Sequence, residues 1–111
     1  MSDWKEVVTI PMRVAIGIVT GERNKTYGDF YEDMKETAAR WSLDLKRKLK
    51  EPITASDVPR MLISLKQTRE GQSPQLDNCT DICGYAGGRY YCCEREKEDS
   101  RALDEKELEM E

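Results

Sequence analysis

A chain of 111 residues with 18 basic and 22 acidic groups carries a net charge of −4 and has room for one domain. It contains no histidine, which excludes Ser–His and Cys–His nucleophilic chemistry, histidine general bases and histidine metal ligands. No apolar run approaches the roughly 18 residues that span a membrane, and no basic-then-apolar opening segment reads as an export signal, so a cytoplasmic protein is expected.

The charge is uneven along the chain. Residues 94–111 hold nine acids and four bases, net −5, which leaves 13 acids and 14 bases, net +1, for the rest. Residues 1–93 are therefore expected to form the domain, with 94–111 a solvated helical or frayed tail. A strongly basic footprint is missing, so nucleic acid is not an expected partner.

Taken in chain order, residues 1–10 read as an extended segment or a helix start. Pro11 suits the first turn of a helix running to about Thr20. Val14, Ile16, Ile18 and Val19 should be buried, and Gly21 suits the position just past the end. Residues 22–28 read as a polar loop. Asp29, with Glu32 three residues on, opens a second helix as a capping box does. Phe30, Met34, Ala38, Trp41, Leu45 and Leu49 keep helical spacing up to Lys50, and Pro52 stops it. Lys46, Arg47, Lys48 and Lys50 would then complement its dipole.

A third helix is expected over 57–70, capped by Ser56 or Thr54, with Pro59 in its first turn. Val58, Met61, Leu62 and Leu65 form its buried stripe. A fourth, over 76–88, places Leu76, Cys79, Ile82, Cys83 and Ala86 on one face. Gly87-Gly88 marks its end or the close approach of a neighbouring helix. Short connections favour antiparallel neighbours. The expected fold is all-α: a compact bundle of about four helices with a charged C-terminal helical tail.

Cys79, Cys83, Cys92 and Cys93 are spaced C-x3-C-x8-C-C. A ribbon-type zinc site uses paired C-x2-C knuckles, so zinc is not expected, and reduced thiols packed as small apolar residues are.

Two acidic clusters could carry chemistry. Glu32, Asp33 and Glu36 lie within one helical turn, and Asn78 and Asp81 are one turn apart. Packed together, these helices would present hard oxygen ligands to Mg²⁺ and a triphosphate. Arg23, Lys25, Lys66 and Arg69 could neutralise phosphate oxygens, and Tyr27 or Tyr85 could stack on a base.

Thr20-Gly21-Glu22-Arg23, Tyr27-Gly28-Asp29-Phe30, Ala38-Ala39-Arg40-Trp41-Ser42 and, above all, Asp77-Asn78-Cys79-Thr80-Asp81-Ile82-Cys83-Gly84-Tyr85-Ala86 resemble a family of small phage and prophage proteins of uncharacterised function. Its pattern DN-x-x-DIAGYA is matched with Cys83 in place of alanine. That family in turn resembles the all-α NTP pyrophosphatases of the MazG type. These are usually oligomeric bundles that hold Mg²⁺ with E-E-x-x-E and E-x-x-D helices and release pyrophosphate from nucleoside triphosphates.

The resemblance implies metal ligands at Glu32, Asp33, Glu36, Asn78 and Asp81. It implies that Glu36 and Asp81 take part in catalysis, and that the protein is a homo-oligomer. Asn78 replaces the glutamate of the second element and removes one negative charge. The leading expectation is a Mg²⁺-dependent nucleotide pyrophosphohydrolase. The alternatives are a non-catalytic protein that sequesters a host nucleotide signal, and an interaction module acting through the acidic tail.

Overall fold

The computed structural model describes residues 3–21 and 23–110, without the side chains of Arg23 and Asn24. Among the described residues there are five helices and no strand: α1 (Trp4–Val19), α2 (Arg23–Tyr27), α3 (Phe30–Asp44), α4 (Asp57–Gln72) and α5 (Leu76–Met110). The expected all-α bundle is present. Several boundaries differ, each for a local reason.

Helix α1 starts at Trp4, before Pro11, because Asp3 caps it: the Asp3 carboxylate accepts the Lys5 backbone N–H at 3.3 Å. Pro11 therefore lies inside the helix, where it withholds one N–H from the ladder. The expected burial of Val14, Ile16, Ile18 and Val19 is not met. All four are exposed, and only Ala15 is buried. The reason is placement: among the described residues α1 packs only on α5 and α2, so most of its circumference faces outward.

The polar loop contains the short helix α2. The turn that follows needs Gly28, whose φ of +72° is a left-handed conformation that costs a residue with a Cβ about 1–2 kcal/mol. Asp29 then caps α3 as expected, accepting the N–H groups of Tyr31 at 2.9 Å and Glu32 at 3.2 Å.

Helix α3 stops at Asp44 instead of Lys50. The chain turns back at once, and the Ser42 hydroxyl accepts the Ile53 N–H at 2.8 Å. That bond fastens the returning segment to α3, so the basic cluster 46–50 lies beyond the helix. Helix α4 falls where it was expected, with Pro59 and Val58 fully buried in its first turn. The Ser56 side chain does not cap it.

The largest departure is α5, a single helix of 35 residues running through Gly87-Gly88. The glycine at 88 reflects close approach, since a Cβ there would run into the Phe30 ring. The position expected to separate domain from tail, 93/94, lies inside this helix. Its distal turns extend from the bundle, and the molecule measures 65 × 32 × 25 Å.

The core joins Tyr31, Met34 and Ala38 of α3, Ala55 and Val58 at the start of α4, and Cys92 of α5. Trp41, Ile53 and Leu62 pack against it, half-buried. Cys92 is a buried thiol, and its desolvation pushes the pKa up to about 11, so it stays protonated and inert. Cys79, expected on the buried stripe, is exposed, with its Sγ 3.6 Å from Glu70 Oε2.

Candidate functional site

The second acidic element sits where α4 and α5 face each other. Lys66 of α4 reaches Asp81 of α5, with Nζ 2.7 Å from Oδ2 and both side chains largely shielded. One turn on, Tyr85 lies on the same side of α5 as Asp81. Both residues wall a cavity of about 60 Å³, together with Ala15, Val19, Phe30 and Thr80. The cavity shares Ala15, Val19 and Gly84 with a wider, apolar groove of about 450 Å³ between α1 and α5. Three of the expected site residues, Lys66, Asp81 and Tyr85, are thus brought together.

Others lie elsewhere. Asn78 is buried and donates its Nδ2 to the Ser73 carbonyl at 3.4 Å, fastening the α4–α5 turn. Glu32 lies 3.7 Å from Arg95. Asp33 and Glu36 line a separate open depression on α3 with Thr37, Arg40 and Asp44. Among the described residues, no three acidic or thiol groups converge as a metal-holding cluster. Asp81 meets an ammonium group, and Asn78 is occupied structurally. The side chains of one chain therefore do not assemble the Mg²⁺ ligand set that the resemblance implies. Arg69 is exposed in the last turn of α4, and Lys25 and Tyr27 are exposed on α2. The Arg23 side chain lies outside the described residues.

Two features escape a reading of the sequence. The first is Thr80, which is buried and has a hydroxyl without a hydrogen-bond partner among the described residues. The second is a polar network between α3 and the acidic end of α5. Tyr91 donates to Asp29 Oδ2 at 2.5 Å, and Arg95 Nη1 donates to the Tyr91 oxygen at 2.8 Å. The Arg95 guanidinium lies 4.7 Å from the Tyr31 ring centroid, a cation–π distance. The Tyr31 hydroxyl donates to Asp99 Oδ2 at 2.7 Å. The Tyr91 hydrogen bond holds the Asp29 carboxyl below its ordinary range. The Asp99 hydrogen bond, aided by burial, raises the Tyr31 phenol to about 12. No sequence signal joins residues 68 positions apart.

Residues 11–91 match DUF6378, a domain of unknown function. This chain belongs to that family. The DUF6378 region includes the Lys66–Asp81 pair and the cavity, and it ends before Arg95, Glu96 and Asp99. The chain is also 35% identical over 79 residues to the Gene 55 protein of Mycobacterium phage D29, covering 70% of this chain. It spans about half, 47%, of that relative's length. No solved structure matches. No helix is long and apolar enough to cross a membrane among the described residues.

Proposed function

We propose that this DUF6378 chain is a nucleotide-binding protein whose ligand sits at the cavity between α1 and α5. The observation that carries it is Asp81, which pairs with Lys66 and lines the same cavity as Tyr85. An ammonium and a carboxylate beside an aromatic ring supply what a nucleotide needs: a cation for phosphate, an acceptor for a sugar hydroxyl and a π-face for the base. A phosphate oxygen would take over the Lys66 ammonium and release Asp81 to the sugar. Arg69, Lys25 and Tyr27 lie outside this cluster, and their contribution would be to a phosphate chain extending outward.

Mg²⁺-dependent pyrophosphohydrolysis is supported by the resemblance and by the sequence placement of Glu32, Asp33 and Glu36 within about one turn of α3, although Glu32 meets Arg95 in the single chain. It requires those carboxylates to meet Asp81 of a second copy. A homo-oligomer agrees with the exposure of Trp4, Val8, Met12 and Ile16 along α1, since an apolar face of that extent marks an interaction surface.

The test is a calorimetric panel of nucleoside mono-, di- and triphosphates and cyclic nucleotides, with Mg²⁺ and with chelator, in which the products are also read. Retained nucleotide that Lys66→Ala weakens by about tenfold supports binding. Release of pyrophosphate only with Mg²⁺ supports the hydrolase. Absence of binding by every nucleotide rejects both.

A further inference from the structure

Helix α1 carries apolar residues that the chain does not bury. The core cluster draws on α3, α4, α5 and the segment before α4, and it contains no residue of α1. Ala15 is the buried residue of α1. Val8, Met12 and Ile16, spaced four apart on one side of the helix, are exposed, Ile16 at 63%. Apolar side chains aligned in this way gain by leaving water together.

That side of α1 forms one wall of the groove of about 450 Å³. Met12 and Ile16 stand on the α1 side, and Cys83, Gly84, Gly87 and Gly88 of α5 line the other. No residue around the groove carries a charge, as in the centre of protein interfaces, where charged groups are depleted. The α5 side lies low because its residues are small. Phe30 accounts for Gly88, but a Cβ on Gly87 would meet nothing within 4 Å. Glycine in mid-helix is less favourable than alanine, and no side chain of the described residues uses the space at 87. A helix ridge approaching from outside does use it.

The occupant of such a groove is long, apolar and convex. The ridge of Val8, Met12 and Ile16 has that form, so α1 supplies both a wall of the groove and a shape that fills one. A two-fold interface requires this self-complementarity, since the same patch serves both copies. This side of α1 and the groove floor together offer roughly 600 Å² per copy, or about 1,200 Å² for a pair, the size at which stable, specific interfaces begin. A flat lipid surface would touch the ridge and leave the glycine floor uncovered.

We propose that a second copy of this chain covers the groove. The side of each α1 that carries Val8, Met12 and Ile16 lies against the α1–α5 groove of the other copy, and α1 and α5 of both copies form a four-helix layer. This pairing does not rest on nucleotide binding and is tested without nucleotide.

The experiment measures molar mass by sedimentation equilibrium, and melting temperature, across a range of protein concentrations. Wild type should show twice the chain mass at the upper end, with a melting temperature that rises with concentration. Ile16→Asp places a charge in the contact. Gly87→Leu fills the groove, where the single chain has room for a side chain. Each should weaken dimerisation by about thirtyfold or more and flatten the concentration dependence of melting, with far-UV circular dichroism still helical. Ile10→Asp, at a position that does not line the groove, should leave the dimer intact. Should Ile16→Asp not fold, Gly87→Leu decides alone. A wild type that stays monomeric throughout would overturn the inference. So would a dimer that survives in either folded groove variant, or one that Ile10→Asp breaks as readily. Monomeric wild type that sediments with anionic phospholipid vesicles would overturn it in favour of a lipid surface.

Discussion

Glu96 closes the N-terminus of α4. Its carboxylate accepts the Ser56 backbone N–H at 2.7 Å and the Ser56 hydroxyl at 3.1 Å, from 40 residues further along the chain. A helix N-terminus leaves N–H groups without partners and carries partial positive charge, and here an anion from α5 meets both needs. The acidic segment after residue 93 is therefore part of the fold for its first two turns.

Glu96→Ala should lower stability by about 1–2 kcal/mol, read by denaturant unfolding. Truncation after residue 93 should cost more, because Arg95 and Asp99 leave with Glu96. Truncation after residue 100 should change stability by no more than about 0.5 kcal/mol, since the turns beyond it are exposed. Equal melting of both truncated proteins would show that the Ser56 and Tyr31 contacts do not hold α5 to the bundle.

Trp41 packs against the core while remaining half-buried. Trp41→Ala should therefore cost about 2–3 kcal/mol, less than the 3–5 typical of a fully buried tryptophan. An unchanged midpoint of urea unfolding would mean that α3 meets the core through another face.

The network between α3 and α5 predicts the pH limits of the fold. The Tyr31 phenol is raised from 10 to about 12. The unfolded chain therefore loses this proton first, and the stability it contributes is full below pH 10 and lost as pH rises toward 12. Tyr31→Phe should flatten that alkaline loss, and two of the five tyrosines, Tyr31 and Tyr91, whose phenol is raised chiefly by its hydrogen bond to Asp29, should ionise late in an absorbance titration of wild type. Asp29 is lowered, chiefly by the Tyr91 hydrogen bond. Its contribution is present above the ordinary carboxylate pKa and disappears as pH falls through the lower folded value. Tyr91→Phe should blunt the acid loss, as followed by circular dichroism.

Asp81→Asn distinguishes binding from metal-dependent turnover. If a phosphate takes Lys66 and leaves Asp81 to a sugar hydroxyl, as proposed, nucleotide affinity should be the same in Mg²⁺ and in chelator, and Asp81→Asn should weaken it in both. If the carboxylate instead completes a Mg²⁺ site with α3 of another copy, Asp81→Asn should abolish only the Mg²⁺-dependent signal. The Lys66–Asp81 pair is largely but not fully shielded, so Asp81→Asn, which keeps the shape and a polar carbonyl, should cost folding about 1–2 kcal/mol.

The helical class, the Asp29 cap, the position of α4 and the shared helix face of Asp81 and Tyr85 were legible in the sequence. They depend on local spacing: a short side chain before an apolar period, a proline in a first turn, residues four apart on one helix face. The exposure of α1, the early end of α3, the unbroken run of α5 and the unpaired hydroxyl of Thr80 were decided only in the folded chain. Each depends on what another element supplies. Partners that leave most of α1 uncovered expose Val14 and Ile16. Ile53 returning to Ser42 ends α3, and Phe30 lying over Gly88 gives a glycine in mid-helix its use. The acidic segment shows the difference most plainly. Its composition favours a solvated helix, and from Leu103 onward the apolar residues are exposed, but Glu96 and Asp99 have partners at Ser56 and Tyr31 that only the packing of three helices brings within hydrogen-bond reach.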